Sequence, residues 1–170
     1  MTATARALDT RAFRDLMGLF PTGVAIVTSF GDEGPAGMTV NSLASLSLDP
    51  MLVMVGFDLT SRTLRAVERS GRFGLSFLHH GQEAISRRFA SKLPEAEKFQ
   101  GVDFDLRLGV PILCGVGAWI ACSVEAFHPG GDHVIAVGKV LATGRDPGAA
   151  EPLVFYQGRY ARLDGGGVST

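Results

Sequence analysis

Two apolar runs of strand composition, GAWIACSVEAFH (117–128) and HVIAVGKVLATG (133–144), stand on either side of the turn PGGD. Glycines at the centre of so short a connection favour a hairpin, because the turns whose twist matches paired strands need positive φ. A long antiparallel pair is therefore expected in the second half of the chain. Shorter runs surround it: VAIVTSF (24–30), the turn GDEGP (31–35), the return strand AGMTVNS, then MLVMVGF (51–57) and FGLSFL (73–78). Strands resume from Ile112, and PLVFY and RYARL flank a Gln157–Gly158 turn.

Helical spacing is confined to short segments. From Thr10, read as the N-cap, Phe13, Leu16, Met17 and Phe20 recur at i, i+3, i+4, i+7, with Gly18 and Pro21 as stops. Ser61 caps SRTLRAVERSG, with Leu64 and Val67 inward and Gly71 as the stop. Gln82 to Ala90 is helical, and 91–108 reads as a surface excursion with a short helix from Glu95 to Lys98. The strand–helix–strand rhythm of a doubly wound sheet is missing. The fold class expected is mainly β, an antiparallel barrel with short peripheral helices, in one domain over 10–163. Flexible tails are expected at 1–9 and 164–170.

A net charge of −1 gives no reason to expect a nucleic-acid or acidic-membrane partner. No apolar run has signal-peptide or membrane-span length, so the expected location is the cytoplasm. A 46% hydrophobic content suggests a buried subunit interface. Cys114 and Cys122, in one extended segment, are too far apart to bridge and read as small buried hydrophobes.

TVNSLASLSLDP (39–50) is dense in polar side chains, the hydroxyls and amide of Thr39, Asn41, Ser42, Ser45 and Ser47 and the carboxyl of Asp49, yet apolar sequence bounds it on both sides. Such a segment suits hydrogen bonding to something flat and polar-edged, with Val40, Leu43, Leu46 and Leu48 as anchors. Several catalyst classes lack their motif. There is no GxSxG, no HExxH or Cys/His zinc spacing, no GxGxxG after a strand and no P-loop. His79 and His80 read as exposed loop residues. SRT (61–63) opens a helix, where free amides, hydroxyls and a guanidinium suit a phosphate; taken alone it is an ordinary N-cap. Arg87 and Arg88 taken alone are a solvated face. In HPGGDH, Asp132 either orients His133 towards a ligand or merely completes the turn.

Together these segments resemble the flavin reductase-like family, whose fold is the FMN-binding split barrel. The resemblance is carried by FPTGVAIVTS (20–29), GMTVNSLASLSLDPMLV (37–53), SRT (61–63), FGLSFL…Q…ISRRFA (73–90), KFQGVDF (98–104), GDHVIAVGKV (131–140) and PLVFYQGRY (152–160). It implies a reductase in which NADH or NADPH delivers hydride to FMN or FAD, and the reduced flavin leaves for a separate monooxygenase. It further implies a homodimer. Thr39, Val40, Asn41, Ser42, Ala44, Ser45 and Leu46 would border the flavin ring. Phe57, Ser61, Arg62 and Thr63, with Arg88 and Phe89, would line its ribityl-phosphate end. His133 would face the nicotinamide as the catalytic residue, and Tyr156, Gln157, Gly158, Arg159 and Tyr160 would help bind the nucleotide. Met51, Ser76 and Gln157 depart from the commonest pattern, where Pro, Asn and Arg are frequent. Two readings stand beside the reductase: a flavin carrier or sensor without turnover, and a protein with tightly bound FMN that reduces another acceptor.

Overall fold

The computed structural model describes residues 9–146, 148 and 151–163; apart from Asp9, the expected tails lie outside them. Helix α1 (Thr10–Met17) is capped by Asp9 rather than Thr10. Asp9 Oδ1 accepts the amide protons of Arg11 at 2.7 Å and Ala12 at 3.4 Å. A carboxylate one residue earlier serves the first turn as well as a hydroxyl does, which shifts the boundary. Strands β1 (Thr22–Gly23), β2 (Ala25–Gly31), β3 (Gly34–Val40), β4 (Leu43–Leu48) and β5 (Met51–Asp58) follow. Helix α2 (Arg62–Ser70) leads into β6 (Arg72–Phe77), and α3 (Glu83–Ala90) and α4 (Glu95–Phe99) come next. The remaining strands are β7 (Phe104–Arg107), β8 (Val110–Leu113), β9 (Ala118–Gly130), β10 (His133–Arg145), β11 (Val154–Tyr156) and β12 (Arg159–Ala161).

The fold is mainly β. Seven strands form one antiparallel sheet in the order β3-β2-β6-β9-β10-β5-β4. The long β9–β10 hairpin forms its middle, with His133 paired to Gly130 across Gly131 and Asp132. A flat sheet of seven strands would be roughly 30 Å wide. Yet Val40, on one edge strand, shares a single core with Val53 and Phe57 on β5, next to the other edge, and with Val27, Phe73 and Cys122 between them. The sheet must therefore curl until its edges approach, and the two residues Asn41 and Ser42 link β3 directly to β4. The ladder itself does not close: β3 and β4 are its two edges, so the expected barrel is an open, curled sheet in its hydrogen bonding.

β2 is buried on both faces from Ala25 to Ser29, which accounts for the apolar run Val24–Val27 at its start. Ala25 and Val27 join the core inside the curl, while Val24 and Ile26 join a second one under α3 and α4, with Phe89 and Phe99. Those two rings meet edge to face at 5.0 Å. Inside the curl, β10 passes so close to Phe73 that a Cβ on Gly138 would lie 2.3 Å from the ring's Cζ. Among the described residues, no helix is long and apolar enough to cross a membrane.

Four local expectations need correction. The surface excursion contains a strand, β7, which pairs with β8 across Leu108 and Gly109, both at positive φ. β7 is four residues long and mostly exposed, and its turn opens on a leucine in the left-handed region, so Gly109 was the one turn signal and the hairpin stayed hidden. His79 and His80 are half-buried. They lie in a short turn where His79 Nδ1 accepts the Gly81 amide proton at 3.1 Å. Cys114 is exposed, and only Cys122 is a buried hydrophobe. Finally, Leu46 and Leu48 anchor nothing inward and stand exposed. They lie on an edge strand whose alternation is broken by a register shift between Ser45 and Ser47.

Candidate functional site

The polar segment 39–50 occupies the seam of the curled sheet. Thr39, at the end of β3, donates its hydroxyl proton to the Ser86 carbonyl at 2.6 Å. Ser86 Oγ in turn lies 2.8 Å from the Tyr160 hydroxyl, and Arg87 stacks over the Tyr160 ring at 4.9 Å. Across the seam, Ser42 Oγ donates to the Gly56 carbonyl at 2.9 Å, and the Gly56 amide donates to the Ser42 carbonyl at 3.0 Å. Both hydroxyl protons are thus committed within the chain. Ala44, Ser45 and Leu46 offer backbone along the free edge of β4, and their side chains and those of Asn41 and Ser42 are exposed.

Helix α2 starts beside this seam. Ser61 Oγ caps it by accepting the Leu64 amide proton at 3.3 Å, and lies 3.1 Å from Met38 Sδ, one residue before Thr39. Gly71, at φ +65°, ends the helix as expected. Arg62 is tethered: its Nε contacts Glu95 Oε1 at 3.0 Å, and its Nη2 donates to the Leu93 carbonyl. Glu95 Oε2 also accepts the Gly37 amide proton at 2.9 Å. Beneath it, buried Lys98 donates to the Gly37 carbonyl and to Glu95 Oε1, each at 3.1 Å. Sequence reasoning gave no role to Glu95 or Lys98; the only signal was KFQGVDF, in which Lys98 is the first residue.

At the same end of the sheet, His133 opens β10 opposite Asp58, the last residue of β5. Its Nδ1 lies 2.7 Å from Asp132 Oδ1. A carboxylate accepts only, so Nδ1 carries the proton and Nε2 is left for a ligand. The Leu59 amide donates to the Asp132 carbonyl at 3.2 Å, tying this hairpin to the start of α2. The Thr60 hydroxyl and amide, at 2.6 and 2.7 Å, hold the Asp58 carboxyl below its ordinary pKa, and the charge of His133 lowers it further.

Not every expected residue presents its side chain here. Phe57, Thr63 and Phe89 are buried, so their side chains belong to the interior, and Val40 is buried as well except where it lines a hollow. Arg88 Nη1 donates to the Gln100 carbonyl at 2.7 Å, and the residue lines a groove with Asp103 and Cys114 rather than the one that Arg62 lines. Tyr156 to Tyr160 form the β11–β12 hairpin, with Gln157 and Gly158 both at positive φ in its turn. Tyr160 reaches the seam through Ser86, while Gln157 donates its amide proton to the Gly18 carbonyl at 2.8 Å.

Val40 and Asn41 stand between two hollows. A cavity of about 500 Å³ is lined on its other sides by Phe20 to Gly23, Phe77 and Pro152–Leu153. A smaller one, of about 210 Å³, includes Thr39, Phe155 and Tyr160. The larger is of ligand-binding size and mostly apolar. Thr22, which lines it, has a buried Oγ1 with no hydrogen-bond partner among the described residues. Apolar walls, an orphan hydroxyl and an open strand edge fit a flat ring with polar margins. Pro21, read from sequence only as a helix stop, and Thr22 had no site role there, although both belong to the FPTGV motif.

Thiol chemistry finds no support. Burial pushes Cys122 up to about 12, and burial followed by Asp105 and Asp103 raises Cys114. Among the described residues, no group of three or more His, Cys, Asp or Glu could hold a metal ion.

The family model of the flavin reductase like domain matches residues 17–164. The chain is 42% identical over 161 residues to the flavin-dependent monooxygenase reductase subunit HsaB of Rhodococcus jostii, covering 94% of this chain and 81% of that protein. Nitrilotriacetate monooxygenase component B from Mycobacterium thermoresistibile superposes with a TM-score of 0.88 at 42% identity, covering 94% of this chain and 89% of that one. The NADH:FAD oxidoreductase SgcE6 of Streptomyces globisporus gives a TM-score of 0.87 at 34% identity, with 96% and 99% covered.

Proposed function

Because the chain belongs to the flavin reductase-like family, we propose that it is an NAD(P)H:flavin oxidoreductase that reduces FMN or FAD and supplies the product to a separate monooxygenase. The observation that carries this reading is the meeting of the Asn41–Ser42 seam, the first turn of α2 and the Asp132–His133 pair at one end of a curled sheet. We read that sheet as the split barrel of the family. The flavin, when bound, supplies the ring that accepts the hydride. The chain's part is to bind and orient, the larger share of such catalysis. Backbone amides along the edge of β4 face the ring, since Thr39 and Ser42 have spent their hydroxyl protons. Arg62 and the free amides of the first turn of α2 take the phosphate. His133, held by Asp132, turns Nε2 to the nicotinamide nucleotide, with Tyr160 on the other side of the seam. The free thiols Cys114 and Cys122 suit the reducing cytoplasm.

A homodimer belongs to the same reading. Helix α1 buries none of its residues, and Phe13, Leu16, Met17, Leu19 and Phe20 are all at least half exposed. On β4 and the start of β5, Leu48 (86%) and Met51 (57%) are exposed as well. So much apolar surface calls for a cover, and a second copy provides it. Sedimentation velocity should give twice 18.0 kDa, and Leu48→Glu should shift the mass towards one copy. A wild-type protein sedimenting as a single chain would remove the dimer.

The decisive test of activity is anaerobic stopped-flow with NADH or NADPH against oxidised FMN or FAD. Rapid bleaching, followed by transfer of reduced flavin to an acceptor, is expected and fixes both preferences. Flavin binding without bleaching by either nucleotide would leave a carrier instead.

A further inference from the structure

The groove beside α2 is electrically balanced at its surface. Arg62, Arg65 and Arg69 line it against Asp32, Glu33 and Glu95, and their formal charges cancel. The surplus lies underneath. Lys98 is 4% exposed and does not line the groove, yet its Nζ is 3.1 Å from Glu95 Oε1. That same oxygen contacts Arg62 Nε at 3.0 Å. One carboxylate thus faces two cations. The buried one must keep its counter-ion, because an unpaired charge in the interior is costly. The guanidinium of Arg62, with a side chain 47% exposed, can reach water and carries what is left over.

We infer that Lys98 sets the anion affinity of the Arg62 site without touching the ligand. It neutralises Glu95 from below and leaves one positive charge at the groove for the phosphate of FMN or FAD. The inference rests on the reading of Arg62 as the phosphate residue. Without Lys98, Arg62 and Glu95 are a closed neutral pair, and an incoming phosphate meets a carboxylate as well as a guanidinium. A purely mechanical role, fastening α4 to β3 through Gly37, makes a different prediction, because it depends on packing rather than on charge.

The test is titration calorimetry with oxidised FMN and riboflavin, which differ by the phosphate alone. Lys98→Met and Lys98→Gln should each lower the FMN-to-riboflavin affinity ratio about tenfold, the effect of one charge acting over about 10 Å in protein surroundings. Riboflavin affinity should hold. The double variant Glu95→Gln/Lys98→Met restores the surplus charge and should bring the ratio back to that of the wild type. Should Lys98→Met not fold, Lys98→Gln and the double variant make the same comparison. A ratio unmoved by loss of Lys98, or one the double variant fails to restore, overturns the inference. Arg62→Ala separates it from its premise: a lowered ratio there leaves the phosphate reading standing, whereas an unchanged ratio sinks both.

Discussion

Truncating Phe57 to alanine is expected to cost about 3–5 kcal/mol of folding stability, and to weaken flavin binding only through that loss. The resemblance puts this residue at the ribityl-phosphate end, but its ring is 0% exposed. It lies in the core inside the curl, among Val27, Val55 and Phe73. Its backbone runs between Gly56, which is bonded to Ser42, and Asp58, which is paired with His133, so the strand borders the site while the side chain turns away. With a total stability of about 5–15 kcal/mol for a domain of ordinary size, the variant should melt at much lower urea. Its remaining folded fraction should bind riboflavin and FMN with nearly wild-type affinity. Lost FMN affinity at unchanged stability would return the ring to the site.

Replacing His133 with alanine should reduce kcat/KM for the nicotinamide nucleotide about tenfold, the weight of one well-made hydrogen bond in the bound state. Flavin affinity should stay within error, because the residue stands across Asp58 from the seam rather than on it. Asp132→Asn keeps an acceptor for Nδ1 and removes the charge, so it should cause a smaller loss of the same kind. Steady-state kinetics on each variant, with flavin affinity measured separately, give the answer. Unaltered kinetics in His133→Ala would take the residue out of the mechanism. A loss confined to flavin affinity would move it to the other ligand.

The two expectations differ in how much of their basis is local. The Asp132–His133 contact joins adjacent residues at a hairpin turn, and so it is legible from HPGGDH. The same holds for the Ser61 cap and the Gly71 stop of α2, where a side chain or a positive φ acts within three or four residues. β2 shows through the apolar run Val24–Val27 because both its faces are covered there. The inward turn of Phe57 has no such local sign. MLVMVGF is apolar on both faces, and only the packing of Val53, Val55 and Phe57 into the shared core shows which of them lines the curl. β7 was missed for a related reason: FDLR (104–107) is short and mostly exposed, and its turn opens on Leu108 at positive φ, so Gly109 alone marked the reversal.

The pattern of residues by itself determined most of the strands, though not β4 or β7, together with the central hairpin, the caps of α2 and the family, since alternation, turn chemistry and ordered motifs act over short stretches of chain. Tertiary structure alone decided that the sheet curls until Asn41 and Ser42 join its edges, that Arg62 is bound to Glu95 33 residues later, and that buried Lys98 supplies the unmatched charge. Those contacts depend on strand register, on curvature and on which residues meet across the sheet, and short-range periodicity carries none of that information.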